Sequence, residues 1–163
     1  MESKPELVYP LSDLNQSADD FWQVDRDVVL HPSPAYGHYK IVMSAFFNAS
    51  HYVSFESHSG TMHRHSFHLR VSARADSLSD QHNVLVPYET LRKLVEKVVS
   101  QYEGKILNDL PPFRNMQPTI EILVGVISQQ IVRMSLGLDL RITEITVMES
   151  PTQGITFQLT QAE

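Results

Sequence analysis

Apolar and polar positions alternate along two stretches of the chain and recur at helical spacing along two others. From Tyr39 to Tyr52 the sequence is aromatic and aliphatic with few breakers, which suits a long strand with a bend near Asn48. Residues 53–62 carry Ser54, Ser57, Ser59 and Gly60 and read as a loop. The next strand is then expected to return as the hairpin partner, with His63, His65, Phe67, Leu69, Val71 and Ala73 on one phase. His68, Arg70, Ser72 and Arg74 fall on the other phase, facing away.

After a loop ending at Pro87, Tyr88, Leu91, Leu94, Val95, Val98 and Val99 recur at three and four residues, which predicts a helix up to Gly104. Pro111, Pro112 and Pro118 frame a turn. Thr119 opens a second helix whose apolar face is Ile120, Leu123, Val124, Ile127, Ile131 and Val132, ending near Leu136-Gly137. Leu140, Ile142, Ile145 and Val147, then Ile155, Phe157 and Leu159, flank Pro151 to Gly154 as a closing hairpin. The order is two strands, two helices, two strands, an α+β arrangement. Residues 1–36 are polar and interrupted by proline, and are expected to form an extension docking on a domain of residues 37–163.

Composition narrows the chemistry. The 163 residues, 42% of them apolar, suffice for one packed domain. A net charge of −6 without a dense Lys/Arg patch argues against a nucleic-acid surface and for a small ligand. The chain has no cysteine, which removes disulfides, thiolate ligands and any thiol base. It has no basic start leading into an apolar run and no window near the ~18 apolar residues of a membrane span, so a soluble, cytoplasmic protein is expected.

Against that background the histidines carry most information. His63 and His65 project from one face of a strand, about 6 to 7 Å apart, and His51 stands near the end of the strand before them. Three neutral imidazoles with an open position are the donor set with which catalytic zinc binds and polarises an oxygen ligand. A lone histidine in a strand is usually a satisfied core or surface group. Three in one pattern favour metal.

Phe47-Asn48-Ala49-Ser50-His51, His63-Arg64-His65-Ser66-Phe67, Leu107-Asn108-Asp109, Gln117-Pro118-Thr119-Ile120-Glu121 and Val147-Met148-Glu149-Ser150 occur in that order. With these motifs the chain resembles the 6-pyruvoyl-tetrahydropterin synthase and 6-carboxy-tetrahydropterin synthase family, over roughly residues 38 to 160. The resemblance implies a tunnelling fold, a four-stranded antiparallel sheet with two helices on one face in ββααββ order. It implies Zn2+ held by His51, His63 and His65, and a pterin ring anchored by Glu149, whose carboxylate can accept two hydrogen bonds from an amino-pyrimidine edge. It also implies a homo-oligomer, a trimer or a dimer of trimers. Thr119 matches a ligand-binding position of the family but serves equally as a helix N-cap. Asn108 can order a turn as readily as touch a ligand.

The departures from the family pattern concern proton handling. The family's proton-abstracting cysteine corresponds to Ser59, a hydroxyl too weakly acidic to act as that base unaided. The glycine between the two strand histidines is Arg64, and the Asp-His relay corresponds to Glu103-Gly104. Glu56 and Glu103 are the candidate catalytic carboxylates. Glu56 matches by type, though not by position, a branch of the family that uses glutamate in this loop. His58 is a further candidate. Two functions follow as expectations: a zinc-dependent lyase acting on dihydroneopterin triphosphate or a related dihydropterin, or a catalytically reduced homologue that binds a pterin, a purine-like ligand or a partner without turnover.

Overall fold

The computed structural model describes residues 39–54, 60–74, 78, 84–138 and 140–160. The expected extension, residues 1–36, lies outside the described residues. Five strands, β1 (Lys40–His51), β2 (His63–Arg74), β3 (Lys105–Ile106), β4 (Arg141–Ser150) and β5 (Gln153–Gln158), form one sheet in the order β3-β1-β2-β4-β5. Two helices, α1 (Tyr88–Val99) and α2 (Ile120–Ser135), separate the hairpins.

The pattern of burial explains the sheet. Ile41, Phe47, Ala49 and His51 of β1 and Phe67, Leu69, Val71 and Ala73 of β2 are buried on one phase of the two strands. Ile142, Ile145 and Val147 extend that face across β4. Leu91, Leu94, Val95 and Val98 of α1 and Leu123, Val124, Ile127 and Ile131 of α2 pack into the same core. The helices thus cover one face of the sheet, and burial of this shared apolar surface is the main force holding the layers together. No described helix is long and apolar enough to cross a membrane.

Three details differ from the sequence expectation. The sheet has a fifth strand, because Lys105 and Ile106 run parallel to β1 beside Ala49 and Ser50; the element order is therefore ββαβαββ. The first helix ends at Val99, five residues before Gly104, and the chain turns through Gln101 to Gly104 with Gly104 at φ 70°. The β1 to β2 register runs without a shift through Asn48, where the sequence suggested a bend. The irregularities lie elsewhere, one between Ser72 and Ala73 in the β2–β4 ladder and one between Met148 and Ser150 in the β4–β5 ladder.

Candidate metal centre and ligand cavity

The hairpin register brings the three histidines together. His51 pairs with His63 and Ala49 with His65 across β1 and β2. One ring nitrogen from each of His51, His63 and His65 lies within 4.8 Å of the other two, an arrangement that could hold a metal ion. The rings meet edge to face, with centroids 4.4 Å apart for His51 and His63 and 4.9 Å for His63 and His65.

Their surroundings fix which nitrogens are available. His51 is 3% exposed. Its Nδ1 lies 2.8 Å from the Pro118 carbonyl, and since a carbonyl only accepts, Nδ1 carries the proton. His51 Nε2 therefore holds a lone pair, and it is buried without a hydrogen-bond partner among the described residues. A buried acceptor left unpaired is costly unless something binds it. His63 Nδ1 likewise donates to the Thr61 carbonyl at 2.8 Å, again leaving Nε2 as the ligand atom. Burial holds the His51 imidazole below its ordinary value. The Pro118 carbonyl opposes that fall, His63 and His65 add to it, and Glu149 opposes it. A neutral imidazole is the form that ligates metal. The orphaned lone pair, the two fixed tautomers and the nitrogen donor set all fit a divalent ion.

Glu149 sits nearby for a reason local to β4. Met148 pairs with Gly154 and Ser150 with Gln153, so Glu149 is the extra residue of a bulge. Bulges redirect a side chain out of the ladder and are frequent beside functional sites. On its other side β4 pairs with β2 only from His68↔Met148 onward, although β2 continues to His63 and β4 to Ser150. Where the two strands part, a cavity of about 570 Å³ opens, lined by Arg64, His65, His68 and Glu149 among others. That volume is within the range of small-ligand sites. His65 belongs both to the histidine group and to the cavity wall. Phe46, 67% exposed, stacks on His68 with centroids 4.5 Å apart and an interplanar angle of 14° on the same wall.

The other sequence candidates are placed as follows. Thr119 is the N-cap of α2 and its Oγ1 accepts from the Ile122 N–H at 3.4 Å. The Glu103 carboxylate accepts from the Asn48 backbone N–H at 2.8 Å and from Asn48 Nδ2 at 3.3 Å, while the Gly104 N–H donates to the Asn48 carbonyl at 2.7 Å. Glu103-Gly104 thus clasps β1. Glu56, His58 and Ser59 lie outside the described residues. A Cβ on Gly60 would run into the Val53 carbonyl oxygen, so a glycine is needed where the chain passes this close to Val53. His68 and Arg64 were not anticipated at the cavity. Strand alternation sends them away from His63 and His65, and only the parting of β2 from β4 exposes both phases to one space.

The model of one family, 6-pyruvoyl tetrahydropterin synthase, matches residues 40–160. The chain belongs to that family. Solved structures agree on the fold. The chain is similar to the 6-pyruvoyl tetrahydropterin synthase of Caenorhabditis elegans, with a TM-score of 0.65 and 15% identity over 76% of this chain and 97% of that one. The Plasmodium vivax 6-pyruvoyl tetrahydropterin synthase gives a TM-score of 0.62 and 16% identity over 77% and 99% of the two chains. An uncharacterized protein of Wolinella succinogenes gives 0.61 and 10% over 74% and 97%. No curated protein gives a significant match. Family and fold are those of the tetrahydropterin synthases, and the low identities leave the details to this chain's own residues.

Proposed function

We propose that this chain is a metal-dependent enzyme that binds a pterin in the cavity between β2 and β4 and carries out elimination or carbon–carbon cleavage on dihydroneopterin triphosphate or a related dihydropterin. The observation that carries the proposal is the meeting of His51, His63 and His65 beside a cavity that Glu149 also lines. The Glu149 carboxylate would accept the paired N–H groups of the ring's amino-pyrimidine edge and set its orientation. His51, His63 and His65 would hold Zn2+. A bound divalent ion supplies Lewis acidity, polarising side-chain oxygens of the ligand and acidifying the neighbouring C–H.

Proton removal is left to a group other than cysteine. Glu103 directs its carboxylate oxygens to Asn48, so its assigned task is to hold β1, and the base assigned from the sequence is Glu56. A Plasmodium vivax relative altered from glutamate to alanine is described as a catalytic-residue mutant, which supports a carboxylate in this role. The enzyme is further read as a cytoplasmic homo-oligomer, a trimer or a dimer of trimers, in which residues 1–36 extend from the domain of residues 37–163.

Two observations favour the second reading, a homologue that binds without turnover: the chain has no cysteine, and its Glu103-Gly104 is spent on β1. Mass-spectrometric turnover of dihydroneopterin triphosphate by the zinc-loaded protein separates the two. Product that disappears in His63→Ala and Glu149→Ala is the expected result. Absence of product with metal stoichiometrically bound would sink the enzymatic reading and leave the binding one.

A further inference from the structure

The ladder of β1 ends at the His51↔His63 pair, yet the chain beyond it is not left without main-chain partners. Tyr52 gives its N–H to Asn108 Oδ1 at 3.0 Å and takes Asn108 Nδ2 on its carbonyl at 2.9 Å. Two residues on, Ser54 gives its N–H to Gln117 Oε1 and takes Gln117 Nε2 on its carbonyl at 2.7 Å. Exchange of both an N–H and a C=O with one partner is the pattern of a hydrogen-bonded pair in an antiparallel ladder, and positions two apart present the same edge. Two carboxamide side chains therefore stand where a neighbouring strand would be. A carboxamide carries the needed C=O acceptor and N–H donor side by side on one carbon, as a peptide group presents them; a carboxylate lacks the donor.

The location of these bonds indicates their use. Tyr52 is exposed and Val53 and Ser54 are half-buried, so the bonds secure no part of the core. What they secure is the exit of β1 directly after His51. The residue following Gln117 is Pro118, whose carbonyl takes the His51 Nδ1 proton. Asn108, Gln117 and Pro118 thus bring one segment of chain against the backbone and the imidazole of the same short stretch.

We propose that Asn108 and Gln117 are positioning residues of the metal centre, acting as a side-chain strand that holds the His51 imidazole where His63 and His65 can share a metal with it. The inference rests on reading these three histidines as metal ligands. Partners that orient a ligating histidine change metal affinity by about 10- to 100-fold when removed. The same magnitude is expected for Asn108→Leu and Gln117→Met, neutral replacements that delete the bonds without adding charge near the ion.

The test measures Zn2+ affinity of the full chain by competition with a chromophoric chelator, beside the thermal midpoint of the metal-free protein. Tyr102→Phe serves as the contrast, because it removes a hydrogen bond from the core to Gln130 and touches nothing at the histidines. Asn108→Leu and Gln117→Met are expected to weaken zinc about tenfold or more, to alter the visible spectrum of the Co2+ form, and to move the metal-free midpoint little. Tyr102→Phe is expected to lower the midpoint and leave zinc affinity unchanged. Zinc affinity in both carboxamide variants within twofold of wild type, or lowered only in step with the midpoint as any weakening of the fold would produce, overturns the inference. Failure of the wild-type chain itself to bind zinc overturns the metal reading on which it rests.

Discussion

Tyr102 shows how far folding changes a single group. Its ring is buried against Phe47, and its hydroxyl donates to Gln130 Oε1 at 2.6 Å. Burial pushes its pKa from 10.0 up to about 12. Because the folded value lies above the unfolded one, the stability it contributes is complete below pH 10 and is lost as pH rises from 10 to about 12. Absorbance titration at 295 nm is expected to show a late-ionising fraction among the six tyrosines that vanishes in Tyr102→Phe. A second residue-scale prediction concerns Gly104, whose φ of 70° favours glycine while no atom crowds the missing Cβ. Gly104→Ala should cost about 1 kcal/mol through backbone conformation alone, and Gly104→Asn less, as read by denaturant unfolding. At this scale the histidine group was legible because side-chain direction in a strand follows a period of two. The aim of Glu149 was not, since a bulge leaves no periodic mark. The carboxamide clamps escaped as well, because Asn108 and Gln117 meet Tyr52 and Ser54 across more than fifty residues of sequence.

Among the elements, α2 shows most directly how local sequence sets a boundary. Thr119 has extended backbone, φ −68° and ψ 162°, and its side chain satisfies the Ile122 N–H at the helix start. Thr119→Ala should lower stability by about 1 kcal/mol, with zinc affinity unchanged; a larger loss in pterin binding than in thermal midpoint would instead give Thr119 a ligand contact. Both helices and both hairpins were readable because each buries an apolar face of the expected period. β3 was not, since two residues carry no period at all and its existence depends on the return of the chain beside Ala49 and Ser50. The end of α1 was overshot because Tyr102 is buried and continues the apolar spacing, although its N–H already bonds Val99 in a turn.

For the whole molecule, the sheet ends in β3 on one side and β5 on the other, and neither has a further partner within the described chain. Open edges of this kind are sites where another chain can add strands. Light scattering is expected to give three or six times the 18.6 kDa of one chain; a monomer at micromolar concentration would refute the oligomeric reading. Fold class was legible from element order, whereas the cavity depends on where β2 and β4, far apart in sequence, stop pairing. The cavity between β2 and β4 has a kinetic corollary. It occupies a place where the ladder has already stopped at His68 and Met148, so an incoming ligand breaks no main-chain hydrogen bond between these two strands to enter. Capture should then proceed as a single second-order step, its rate rising linearly with ligand concentration and set by encounter and loss of water rather than by an unzipping of the sheet.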